Sequence, residues 1–196
     1  ARPLVVFLHG DTGSNFDTAY GQPNPTFEQV RLEAKQKPSS SLNEMIFLSI
    51  RTPANNGAFD TWSTSLSNGR KYQNARYIIS LFEREILTKY NVDRTKIYFV
   101  GQSGGGIFTA ETLIPTIVAE TDWYKGGGAL MLCGAAVPRA DLNFNPTQEF
   151  KSSFAAAFET TEGEQPLLVP KIQASQNAYS SILGSTKATL NIRGPG

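Results

Sequence analysis

The sequence predicts an α/β fold: an open, mostly parallel sheet with helices on both faces, a three-layer α/β/α sandwich. Two observations carry that reading. Apolar runs of strand length alternate along the chain with stretches in which apolar residues recur every three or four positions. At 196 residues the chain also has the length of a single domain, taking about 150 residues per domain as a guide, so the alternating elements belong to one sheet.

The elements follow in order. Pro3 to Leu8, with Val5 and Val6, is a buried strand closed by Gly10. Phe27, Val30 and Ala34 then recur at helical spacing, and that helix ends near Pro38. Met45 to Ile50 is the second strand, closed by Pro53. From Ala75, the positions Ile78, Ile79, Phe82, Ile86 and Tyr90 give the clearest amphipathic helix. Lys96 to Val100 is the next strand, and Gly104 to Glu120 resumes helical spacing, with a kink or end expected at Pro115. Ala129 to Cys133 is a further strand. Beyond Val137 the pattern predicts an Ala-rich helix over Gln148 to Phe158, a loop around Gly163, and two last strands, Leu167 to Ile172 and Ala188 to Ile192, flanking a short helix near Tyr179. There is no internal repeat and no low-complexity tail.

Composition removes several classes of function. Eighteen Lys plus Arg against 17 Asp plus Glu leave a net charge of +1, without the basic footprint that nucleic acid or anionic membrane binding requires. No apolar run approaches the roughly 18 residues of a membrane span. One His and one Cys do not make a usual nitrogen and sulfur metal site, so no metal is expected. Gly104-Gly105-Gly106 lacks the Lys and Ser or Thr of a phosphate loop, and Gly126-Gly127-Gly128 precedes a strand instead of opening a helix, so no cofactor is expected either. The single Cys133, among Leu130, Met131 and Leu132, reads as an inert core thiol.

The chemistry is concentrated in Gly101-Gln102-Ser103-Gly104-Gly105, a G-x-S-x-G motif placed where a buried strand turns into a helix. A serine at such an apex is thrust out of the sheet, and side chains two residues before or after it would collide with neighbouring backbone. The turn brings the Gly104 amide, at the positive end of the following helix, to where a carbonyl oxygen would become negative. The bland alternative is a glycine turn whose serine merely caps the helix. A second amide is expected from the loop after Leu8-His9-Gly10, with Asp11 favoured and Thr12 beside it as a substrate contact. His9 is the only histidine. At the end of a buried strand, it reads as a loop-orienting residue in preference to a general base, and the Asp11 side chain as a brace for the same loop.

These stretches resemble the α/β-hydrolases, and among them secreted esterases of the polyhydroxybutyrate depolymerase and feruloyl or acetylxylan esterase type. The resemblance rests on Pro3 to Gly10, on Tyr90 to Val100 leading into Gly101-Gln-Ser-Gly-Gly, and on Gly128 to Gly134. It implies a Ser-acid-His triad in that order, with the acid after the penultimate strand, the histidine after the last, and an extracellular or periplasmic setting. Lys171 to Asn177 is similar to the family's strand and turn that end in the acid, which places Asn177 at that position. Asp141, in the preceding loop, is the alternative acid. Arg193 to Gly196 resembles the approach to the family's histidine, and the first strand resembles the family's third. The expectation is therefore a domain core trimmed at both ends, or a short relative that has lost catalysis.

On the substrate side, Trp62 lies on the long loop after the second strand, over the edge where such sheets open their crevice. It stacks on a sugar or aromatic acyl group, or it anchors the loop. Gln102 faces substrate or packs. The reading is a serine esterase acting on an uncharged carbohydrate-linked, aromatic-acid or polyester ester, as a small molecule or on a polymer. The rival is a hydrolase-fold binding module with an incomplete triad.

Overall fold

The structure, a computed structural model, describes residues 1–11, 36, 41–53, 61–62, 67–163 and 168–194. Within these, six parallel strands form one sheet: β1 (Arg2–Leu8), β2 (Ile46–Ile50), β3 (Val92–Gln102), β4 (Gly127–Leu132), β5 (Phe154–Thr161) and β6 (Ala188–Arg193), in the order β2-β1-β3-β4-β5-β6. The strand order reverses between β1 and β3, and a crevice opens at the carboxyl ends of the strands at such a switch. The motif serine follows β3 directly.

Helix α1 (Asn68–Leu81) continues through a π turn at Phe82–Ile86 into Leu87–Lys89. Helix α2 (Gly104–Phe108) does the same through Thr109–Leu113 into Ile114–Glu120. The helix does not end at Pro115: it runs on to Glu120, and the preceding π turn leaves Pro115 in the first turn of the last segment, where its missing N–H costs little. Short α3 (Gln148–Ser153) and long α4 (Leu168–Leu183) complete the set.

Helices α1, α2 and α4 share one face of the sheet. Lys71 of α1 pairs with Glu111 of the α2 π turn (2.8 Å), and the Tyr179 hydroxyl of α4 donates to Ala110 O (2.9 Å). Against them the register partners Val6, Phe99, Ala129 and Ala156 are almost completely buried. The helix expected to end near Pro38 lies, apart from Gln36, outside the described residues.

Two expectations in the last third are corrected. The helix over Gln148 to Phe158 stops at Ser153, and Phe154 to Thr161 is the strand β5. Its burial alternates, with Phe154, Ala156 and Phe158 inside, so the slot between β4 and β6 overrides the helical preference of alanine. Leu167 lies outside the described residues, and the described part of the strand expected over Leu167 to Ile172 is helix: α4 (Leu168–Leu183) buries Ile172, Ser175, Tyr179 and Leu183, a spacing of three and four. Pro170 sits in its first turn, where proline is tolerated.

Candidate functional site

The turn between β3 and α2 is tight. Ser103 has φ 49° and ψ −118°, a conformation that residues with side chains rarely adopt. It is held there by its N–H, which donates to Leu132 O (2.7 Å), and by its carbonyl, which accepts from Ile107 N–H (2.9 Å). The flanking glycines are required by close approach. A Cβ at Gly101 would lie 2.5 Å from Gly105 O, and one at Gly105 would lie 2.4 Å from His9 O. The consequence is a serine exposed at the carboxyl end of a central strand, in a surround where Gly101, Gly104 and Gly105 are all buried. The Gly104 amide occupies the first position of α2, where the helix ladder leaves it unused.

The end of β1 forms the neighbouring wall. A Cβ on Gly10 would stand 3.5 Å from Ser103 Cβ, and the Asp11 carboxylate lies directly over Gly104. Asp11 Oδ1 accepts from the Thr61 hydroxyl (2.6 Å) and from Trp62 N–H (3.1 Å). Thr52 completes the link, because its hydroxyl donates to Thr61 O (3.0 Å) and its N–H donates to His9 Nε2 (3.2 Å).

His9 is fully buried and its ring is committed at both nitrogens. Nδ1 faces Gly10 O at 2.6 Å, which demands a proton on Nδ1, while Nε2 keeps the lone pair that Thr52 N–H uses. Such an imidazole orients the loop and has no free lone pair for a serine proton.

These groups lie together: Ser103, Gly104, Gly10 and Asp11 at the meeting of β1, β3 and β4, with the half-buried Gln102 ending β3 beside them. Thr12 lies outside the described residues. Trp62 is a correction. Its indole has no exposed surface, stacks on Phe108 of α2 (5.0 Å, 17°) and lies 5.4 Å from the His9 ring. Wholly buried against Phe108 and His9, the ring offers substrate no stacking surface.

The two candidates for the acid position, Asp141 and Asn177, make their side-chain hydrogen bonds to residues outside the Ser103 turn. Asp141 stands in a short turn (Ala140–Leu142) within a surface cavity it shares with Thr116, Ala119 and Glu120. That is roughly 20 Å along α2 from Ser103 at about 1.5 Å per residue. Its carboxylate pairs with Arg139 through Nε (3.0 Å) and Nη2, and the hydrogen bond from that guanidinium holds it below the ordinary aspartate range. Asn177 is exposed within α4, where its Oδ1 accepts from Gln173 Nε2 (3.2 Å). The resemblance places a strand and turn over Lys171 to Asn177, whereas these residues lie within α4.

With β5 recognised, the position after the penultimate strand is Glu162, exposed, its N–H donating to Arg193 O at the end of β6 (2.9 Å). The period-two burial of Phe154, Ala156 and Phe158 is the signal that would have found it. Glu164 lies outside the described residues, and among the described residues no cluster of His, Cys, Asp or Glu is arranged to hold a metal.

Solved structures share this arrangement of strands and helices. A thermostable esterase superposes on the whole chain with a TM-score of 0.66 at 21% identity. The fold is that of the α/β-hydrolases. A Bacillus cereus carboxylesterase (TM-score 0.61, 13% identity) and a phospholipase/carboxylesterase from Dyadobacter fermentans (0.61, 16%) also match over all of the chain. The chain spans 47% of the thermostable esterase and 79% and 82% of the other two. No family model and no curated protein sequence matches it. In the α/β-hydrolase frame, β3 and its turn are central, and no described helix is long and apolar enough to cross a membrane.

Proposed function

We propose that the chain is the core of a serine carboxylic-ester hydrolase with Ser103 as nucleophile. The observation that carries this is the exposed Ser103 at φ 49° on the glycine-flanked turn, facing the N-terminus of α2. Backbone strain concentrated at an exposed serine beside the first amide of a helix suits acyl transfer.

In this reading Ser103 Oγ attacks the ester carbonyl carbon, and the carbonyl electron pair moves onto oxygen, which accepts from the Gly104 and Asp11 N–H groups. An imidazole takes the serine proton and returns it to the departing alcohol as the C–O bond breaks. Water, deprotonated in turn, then attacks the acyl-serine and releases the acid. His9 is not that imidazole, since both of its nitrogens are in use. The base belongs after β6, and the acid that orients it belongs to the segment opened by Glu162, in the order Ser-acid-His. The low net charge supports an uncharged ester, linked to a carbohydrate, an aromatic acid or a polyester. Esterase and carboxylesterase names among the structural neighbours support the same class of reaction.

A fluorophosphonate probe on the full-length gene product tests this. Ser103 becomes the modified residue, and Ser103→Ala abolishes labelling without changing the far-UV spectrum. A folded protein that is never labelled would instead favour the binding module.

A further inference from the structure

The Asp11 carboxylate fills the space directly above Gly104. A Cβ at Gly104 would fall 2.2 Å from Asp11 Cγ and 2.3 and 2.4 Å from its two oxygens. Two hydrogen bonds from another loop pin the same carboxylate, one from the Thr61 hydroxyl (2.6 Å) and one from Trp62 N–H (3.1 Å). Trp62 is itself immobilised, wholly buried and stacked on Phe108 in the helix that Gly104 opens. Asp11 therefore joins the end of β1, the loop that returns at Thr61 and the start of α2. A surface aspartate that merely capped its own turn would need none of these remote partners.

We propose that the Asp11 carboxylate is the positioning group of the oxyanion site. By holding Thr61 and Trp62 it fixes the rotation of the Asp11 peptide, and so the aim of the backbone N–H relative to that of Gly104. This rests on the ester-hydrolase reading and adds to it: the side chain at position 11 sets the rate without touching substrate, and glycine at position 104 is needed as much for the carboxylate above it as for the turn. Preorganised donors owe their effect to being aimed before charge develops, and a misaimed amide loses most of it.

The test uses the full-length gene product, with p-nitrophenyl acetate turnover and the rate of fluorophosphonate labelling as readouts. Asp11→Ala lowers kcat about 100-fold, the order for losing one oxyanion donor, with KM within about threefold. Asp11→Asn recovers most of the loss, because its amide oxygen still accepts from Thr61 and Trp62. Thr61→Val, which keeps the shape and removes one bond, lowers kcat about 10-fold, and Thr61→Ser restores it. Gly104→Ala retains every backbone N–H yet behaves like Asp11→Ala, since its methyl group displaces the carboxylate. Wild-type rates in folded Asp11→Ala and Thr61→Val, or losses in KM alone, would overturn the proposal while leaving the hydrolase reading intact. Should Asp11→Ala fail to fold, Thr61→Val and its serine rescue decide. An unlabelled wild type would instead count against the hydrolase reading itself.

Discussion

At the scale of single residues, the site is built by exclusion of side chains as much as by their presence. Gly101 and Gly105 leave no room for a methyl group, each facing backbone at 2.5 Å or less, and backbone cannot swing aside as a flexible side chain can. Gly101→Ala and Gly105→Ala are each expected to cost about 1–3 kcal/mol or more, read as a fall in the urea midpoint. Trp62 makes the opposite point. A large ring that the sequence places over the crevice edge is, in three dimensions, wholly buried against Phe108 and beside His9. Trp62→Ala should cost about 3–5 kcal/mol in the same measurement. The only other tryptophan, Trp123, is also buried, so wild-type emission should be blue-shifted and resist acrylamide quenching.

At the scale of elements, β5 and α4 show how a local pattern is outvoted. The stretch Phe154-Ala-Ala-Ala-Phe158 contains good helix formers, yet it pairs with β4 on one side and β6 on the other, and only its period-two residues enter the core. Paired substitutions expose the difference. Ala156→Glu places an unpaired charge at a position 1% exposed and should cost about 3 kcal/mol or more, whereas Ala155→Glu, on the exposed side, should stay within about 0.5 kcal/mol. In α4, the described part of the run expected as a strand, Leu168 to Ile172, opens a helix whose inner face continues to Leu183. The Ser175 hydroxyl on that face donates to Ala136 O (2.8 Å) and ties the helix to the loop after β4.

At the scale of the whole molecule, the helical layer and the sheet enclose two tyrosine hydroxyls, and burial shapes their response to pH. Burial raises both Tyr124 and Tyr179 well above the ordinary value of 10.0. Above that pH the unfolded chain releases protons that the folded chain keeps, so stability falls as pH rises, by about 1.4 kcal/mol per pH unit for each such tyrosine. Urea midpoints from pH 8 to 11 should be flat at first and then drop. Tyr179→Phe should remove about half of the slope, while lowering stability at pH 8 by about 1 kcal/mol through loss of the bond to Ala110 O.

Sequence by itself determined the class of fold, β1 to β4 with the helices that link β2 to β4, and the turn at Ser103. Each is written locally: a continuous apolar run makes a buried strand, a 3.6 period makes a helix, and Gly-x-Ser-x-Gly is a steric specification within five residues. The tertiary structure alone decided what depends on residues distant in the chain. Whether Phe154 to Thr161 is a strand turned on the slot between β4 and β6, and with it the move from Asn177 to Glu162 as the position after the penultimate strand. The hold on the Asp11 carboxylate likewise depends on Thr61 and Trp62, some 50 residues away. Propensity acts over a few bonds, whereas burial and hydrogen bonding act through space, and no spacing in the chain records which loops will meet.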